Sequence, residues 1–178
     1  EYAPNIYEAK KDYGEEVWLA TYADGKNWGL PIMQPNVIAP FSDSWRMDYL
    51  EKVGITEVPT TLDEAEKAFL KIIEADVNEN GTAGDTYGLT FRGKDSTSRL
   101  FEEIFSAFGV LPAKWIVNDD GTLTYGWMRD EIKDGLALLN RWYEMGIIDP
   151  EFVTTDGAIF NQKVANGSIV YLTSATWN

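Results

Sequence analysis

The chain has 178 residues, enough for one domain with a substantial core, and its 29 acidic against 15 basic side chains give a formal charge of −14. Such a charge argues against nucleic acid and against an anionic membrane surface, whose phosphates would be repelled. The chain has no histidine and no cysteine, which excludes imidazole acid–base chemistry, thiol nucleophiles, disulfides and ordinary zinc sites.

In chain order, Val17–Ala23 is β-rich and runs into Asp24-Gly25, a strong hairpin turn, before Asn27–Ile32 returns. Ser42 or Asp43 is placed to cap a helix reaching Val53, with Gly54 just past its end. Thr61 and Glu64 form a capping box that opens a helix to about Ala75, with Leu62, Ala65, Phe69, Ile72 and Ile73 on one face. Tyr87–Phe91 has strand character. Ser96 or Thr97 starts a further helix, striped by Leu100, Phe101, Ile104, Phe105 and Phe108 and stopped by Gly109. Trp115–Asn118 and Thr122–Trp127 flank Asp119-Asp120-Gly121 as a second hairpin. A long helix spans about Asp130 to Met145, turning Ile132, Leu136, Leu139 and Tyr143 inward before Gly146. A short helix over Gly157–Ala165 stops at Asn166-Gly167, and Ser168–Thr173 is a final strand. Helices and short strands alternate, so the class is α/β with local β-hairpins. No run of eighteen apolar residues is present.

The stretch Asp76-Val77-Asn78-Glu79-Asn80-Gly81-Thr82-Ala83-Gly84-Asp85 places oxygen side chains at alternate positions and a glycine where a backbone must turn sharply. This is how a loop wraps a hard cation: side chains at positions one, three and five, a backbone carbonyl at seven, and a carboxylate closing the far side. Those roles fall to Asp76, Asn78, Asn80, the Thr82 carbonyl and Asp85, with calcium as the expected cofactor. Position twelve is Tyr87 and not Glu, so Asp85 alone is left to close the shell. The alternative is an Asx-rich turn that holds no ion.

Five segments in this order resemble one family. Asp24-Gly25-Lys26-Asn27-Trp28-Gly29-Leu30-Pro31, Trp45–Gly54, Val58-Pro59-Thr60-Thr61-Leu62-Asp63-Glu64, the loop at Asp76–Leu89 and Gly146-Ile147-Ile148-Asp149-Pro150-Glu151-Phe152 are similar to motifs of family 1 extracellular solute-binding proteins of carbohydrate ABC transporters, in the oligosaccharide-binding lipoprotein branch. The resemblance implies one lobe, most of the second, of a two-lobed periplasmic-binding-protein-like fold of type II. Residues 1–178 would form that single lobe, with 15–32 and 166–178 as hinge-proximal segments. It implies as partners an oligosaccharide, the first lobe of the same protein and an ABC permease, no nucleic acid, and an extracellular, lipid-anchored location on the outer face of the membrane. The ends of the sequence then read as those of a piece of a longer chain.

Seven Trp and nine Tyr are many for this length, and sugar faces as well as cores recruit such rings. Trp45, Arg46, Trp127 and Trp177 are the substrate-binding candidates: three rings for pyranose faces, and a guanidinium that could fork onto vicinal hydroxyls or a uronate. Against each stands a structural reading, an ordinary packed ring or a helix-surface ion pair. Trp142 sits close to a helical apolar stripe and belongs to the core, and Trp18 and Trp28 belong to the first hairpin. No nucleophile elbow, phosphate-cradling glycine loop or metal-hydrolase motif occurs, so no catalytic residue is assigned. A module of a secreted polysaccharide-degrading enzyme, or a calcium-stiffened adhesion module, would also show tryptophan, acidity and calcium.

Overall fold

The computed structural model describes residues 4–31, 41–95 and 101–175, and the chain divides into two compact units, Glu1–Pro40 and Phe41–Asn178. In the first unit, helix α1 (Pro4–Lys10) is followed by 3-10 turns over Lys11–Tyr13 and Glu15–Thr21. The strand expected over Val17–Ala23 therefore shrinks to β1 (Tyr22–Ala23), paired with β2 (Lys26–Asn27). The tight turn between them forms as expected, with Asp24 and Gly25 both at positive φ (51° and 79°). Tyr7 stacks on Trp18 at 5.6 Å, and the Trp28 indole N–H donates to the Ala23 carbonyl, 3.0 Å, so both tryptophans bond within their own unit.

The second unit is organised by β3 (Phe41–Trp45) and β6 (Tyr171–Ala175), antiparallel from Phe41↔Ala175 to Trp45↔Tyr171. Ser42 and Asp43 thus lie in a strand and cap nothing; helix α2 (Met47–Lys52) begins beyond them, and Gly54 follows it at φ 77°. Propensity favours a cap for Ser and Asp, but pairing with a strand 130 residues away overrides it. The chain before β6 runs parallel to the stretch after the Asp76–Asp85 loop: Tyr87 N–H donates to Ser168 O, 2.7 Å, and Tyr171 N–H to Gly88 O, 3.0 Å. Leu89 in turn bridges Ile148 in parallel, with Asp149 N–H donating to Leu89 O, 2.9 Å. Gly88 is required there, since a Cβ would come within 2.8 Å of Phe69 and Ile147.

Helices cover this strip. In α3 (Leu62–Ile73) the Thr61–Glu64 capping box is complete, and Ala65, Ala68, Phe69 and Ile72 are buried. Among the described residues the next helix is α4 (Glu102–Ala107); Ser96, Thr97 and Leu100 lie outside them. The second hairpin, β4 (Trp115–Val117) with β5 (Leu123–Tyr125), forms around Gly121. Helix α5 (Glu131–Glu144) buries Ile132, Gly135, Leu139 and Trp142, while Leu136 and Tyr143 are about half exposed. Ile132 and Leu139 thus face inward as expected, while Gly135 and Trp142 take the places expected of Leu136 and Tyr143. Gly135 accounts for this, because its missing side chain admits the Phe105 ring of α4 to within 2.5 Å of where a Cβ would stand. Trp142 can be wholly buried because its indole N–H finds the Glu66 carboxylate. Helix α6 (Gly157–Ala165) is capped by Asp156, whose carboxylate accepts the Ala158 and Ile159 N–H groups.

Among the described residues, one ion pair reaches into the core. Asp149 is fully buried and accepts hydrogen bonds from Thr90 Oγ1 (2.6 Å), Lys163 Nζ (2.7 Å) and the Glu151 N–H (3.0 Å). Burial works against the charge on Lys163, and the bonds to Asp149 and Glu151 outweigh it, raising its pKa.

Candidate functional site

Strand alternation puts residues i and i+2 on one face. Asp43 and Trp45 of β3 stand opposite Thr173 and Tyr171 of β6, and Thr173 Oγ1 donates to Asp43 Oδ1, 2.8 Å. Asp43, Trp45 and Tyr171 form one wall of a cleft of about 730 Å³. The start of α3 (Thr60 to Asp63) and Glu103 with Ile104 of α4 also line it, together with Phe69 and Trp142. Trp45 is half-buried: its ring stacks on Phe69 at 4.8 Å and 14°, and Tyr171 meets it edge-on at 5.2 Å. Phe69 is itself braced edge-on by Trp142 at 5.7 Å. Aromatic stacking holds the Trp45 ring in one orientation, as a ligand platform requires.

The polar groups of this cleft are perturbed. Glu103 Oε1 is buried with no hydrogen-bond partner among the described residues. Burial, with smaller contributions from Asp43 and Glu102, raises the Glu103 carboxyl to about 7. Burial above all pushes the Tyr171 phenol up as well, opposed by Thr173 and assisted by Asp43 and Glu103, so it stays a hydrogen-bond donor. Glu66 is also partly withdrawn from water. Burial opposes its charge, but donors from Arg141 and Trp142 prevail and hold it below the usual carboxylate range.

A second cleft of about 1040 Å³ lies on the other side of α4 and α5 and is apolar, with Phe101, Phe105, Trp127, Tyr143 and Phe152 in its lining. Trp127 meets Phe105 edge-on at 5.6 Å. The sequence-derived candidates are therefore not gathered in one place. Trp45 lines the polar cleft and Trp127 the apolar one. Arg46 lines neither: its guanidinium forks onto Asp48 (2.8 and 2.6 Å) and lies 4.0 Å over the Tyr49 ring. The Asp48 bond raises the Arg46 pKa and, reciprocally, lowers that of Asp48. Trp177 lies outside the described residues. Asp43, Glu103 and Tyr171 escaped the sequence reading, although the alternations Asp43-x-Trp45 and Tyr171-x-Thr173 carry the signal for a shared face.

In the loop after α3, the Asp76 carboxylate accepts the N–H groups of Asn80 (3.0 Å) and Gly81 (2.9 Å), and Asn80 Oδ1 accepts that of Thr82 (2.8 Å). Asp85 accepts the side-chain amides of Asn78 (3.3 Å) and Asn80. Glu79, Gly81 and Gly84 take positive φ, which curls the backbone around these groups. Among the described residues, no three Asp or Glu side chains converge there or elsewhere. The donors are two carboxylates, two amides and the Thr82 carbonyl, all oxygen, and Asn78 Oδ1 is buried without a partner. That set fits a hard cation such as calcium. Turning the two amides end for end would present their oxygens where their nitrogens now face Asp85.

No protein-family model matches the chain. It is 27% identical over 175 residues to the fructooligosaccharide ABC transporter substrate-binding protein FusA of Streptococcus pneumoniae, covering 93% of this chain and 31% of that protein. It is 29% identical over 127 residues to lipoprotein LipO of Bacillus subtilis, covering 68% of this chain and 24% of that one. The solved structure of S. pneumoniae FusA in complex with kestose superposes with a TM-score of 0.80 at 24% identity, over 97% of this chain and 36% of FusA. FusA has also been solved as an EF-hand mutant with fructo-nystose. The chain thus resembles a carbohydrate ABC transporter substrate-binding protein and a lipoprotein, its fold is that of a part of FusA, and it spans about a third or less of their length.

Proposed function

We propose that this chain is most of the second lobe of an extracellular, lipid-anchored oligosaccharide-binding protein that delivers its ligand to an ABC permease, with residues 15–32 and 166–178 next to the hinge. The observation that carries the reading is the cross-strand face of Asp43, Trp45, Tyr171 and Thr173. It gives the polar cleft a braced aromatic platform ringed by hydroxyl and carboxyl groups, the composition a sugar site needs. Trp45 supplies the ring for a pyranose or furanose face, and the Tyr171 hydroxyl and Glu103 supply polar contacts. Trp177, two residues past Ala175 in the sequence, remains a further candidate ring, and Trp127 serves the apolar cleft as a separate subsite. The Arg46 fork is filled by Asp48, so its part is to hold the start of α2 beside Trp45.

The loop of Asp76, Asn78, Asn80, Thr82 and Asp85 holds calcium in this reading. The ion ties the end of α3 to the Tyr87–Leu89 stretch, and the loop takes no part in contacting sugar. Calorimetric titration with a panel of oligosaccharides, fructooligosaccharides included, tests the function. In the full-length protein binding is expected, and Trp45→Ala weakens it at least tenfold while Trp127→Ala changes it less; this lobe alone binds weakly or not at all. Equal loss from both, or none from Trp45→Ala, removes the platform from the proposal. A second reading, a glycan-degrading module, draws on the raised Glu103 beside Asp43. The release of shorter sugars during the same titrations decides for it.

A further inference from the structure

We propose that Asp43 and Glu103 make the polar cleft selective for uncharged oligosaccharides and exclude uronate-bearing ones. This rests on the glycan reading above and deepens it by naming the substrate class. The charged residues among the cleft's described lining are Asp43, Asp63 and Glu103; no lysine or arginine is among them. Arg46, the cation nearest in sequence to the Trp45 platform, has both its fork and its flat face occupied, by Asp48 and Tyr49. It has no fork left for a sugar carboxylate.

The positive end of α3 also faces this cleft through Thr60 to Asp63. Its partial charge is already met, because the Glu64 carboxylate accepts the Thr60 and Thr61 N–H groups and Asp63 sits in the first turn. What remains for a ligand is a phenol donor, hydroxyls and carboxyl oxygens, one of which, Glu103 Oε1, is buried and unpartnered. Sugar hydroxyls satisfy such acceptors. A uronate brought among them would be desolvated beside like charges with no counter-ion among the described lining. In a partly dry cleft that repulsion is enough to cost tenfold or more in affinity.

The charge of Glu103 itself depends on pH. The groups facing it are Asp43 of β3, Tyr171 of β6, and Glu102 of its own helix, with Asp63 at the start of α3 lining the same cleft. Below about 7 the carboxyl is protonated and can donate to a sugar oxygen, while above it both walls are anionic. Discrimination against uronates therefore sharpens as pH rises through neutrality.

The test pairs two measurements. Calorimetry compares an uncharged fructan or glucan tetramer with a uronate tetramer of similar size. The wild-type full-length protein is expected to favour the uncharged ligand at least tenfold, and Asp43→Asn/Glu103→Gln to narrow that ratio about tenfold. Equal affinities in the wild type, or an unchanged ratio in the double variant, overturn the proposal. Independently, the Trp45 fluorescence component, taken as the difference from Trp45→Phe, is quenched with iodide and with acrylamide. Iodide should quench less well than acrylamide, and the gap should close in the double variant. If neither tetramer binds, the glycan reading and this selectivity fail together. Iodide exclusion would then show the cleft's charge to be as described, and iodide quenching equal to acrylamide would show the charge argument itself to be wrong.

Discussion

Asp149 and Glu103 are both carboxylates withdrawn from water in the same unit, and the fold treats them in opposite ways. Asp149 receives a lysine, a threonine hydroxyl and a backbone N–H, so its charge is compensated on every side. Among the described residues Glu103 receives no cation and has an oxygen without a partner, and it faces Asp43. A buried charge that is fully bonded marks a place where the chain is held together. One left wanting partners, on the wall of a cleft, marks a place where something else is expected to bind. The Asp76 and Asp85 carboxylates fall between the two, because amide groups meet them and, among the described residues, no cation does, whereas Glu79 between them pairs with Lys52.

The largest expected effect lies on the compensated side. Lys163→Ala strands Asp149 in the core and should cost about 3–5 kcal/mol in urea unfolding. Lys94→Ala breaks an exposed pair with Asp156 and should leave stability almost unchanged. Similar small losses from both would erase the contrast.

Glu103 comes next. Its folded pKa of about 7 lies above its ordinary 4.5, so the folded state holds the extra proton. Its contribution is fully present below about pH 4.5 and is lost as pH rises through 7. Stability should fall over that window by something on the order of 3 kcal/mol, then level off. Glu103→Gln should remove this slope, and a wild-type profile that is flat from pH 4.5 to 7 would contradict the assignment.

The loop should respond to calcium by about 2.7 kcal/mol at a hundredfold excess over Kd. Melting temperature is expected to rise with calcium and fall with chelator in the wild type and to be indifferent to both in Asp76→Ala. Identical wild-type melting under both conditions would make the loop an Asx turn alone. Smallest of all, Arg46→Gln breaks a half-exposed pair with Asp48 and should shift stability by under about 1 kcal/mol. A larger loss would mean that Arg46 carries more of the fold than its contacts suggest.

What could be read from sequence was what is decided locally. The capping box at Thr61 and Glu64, the stops at Gly54, Gly109 and Gly146 and the turns at Gly25 and Gly121 need only neighbouring residues, and they stand where expected. Asp43 was misassigned because its partner strand lies far along the chain, and no local propensity reports such pairing. Along α5, periodicity places Ile132 and Leu139 correctly but not Leu136 and Tyr143, because a glycine, usually a weak point in a helix, serves there as the seat for Phe105. The cleft was the least legible part. Its walls come from β3, α3, α4 and β6, and only the cross-strand register brings Asp43, Trp45 and Tyr171 together.

The pairing of Phe41 with Ala175 has a topological consequence. The first and last residues of the ladder are direct partners, so the second unit is a nearly closed ring whose entry and exit lie about 5 Å apart. A unit built this way can be spliced into a host chain without prying the host open, since a single gap admits both junctions. It can equally be re-cut: a short peptide joining 175 to 41 closes the ring, and the exposed Asp119-Asp120-Gly121 tip offers a place for new ends. The order in which its elements are synthesised is then separable from the shape they make.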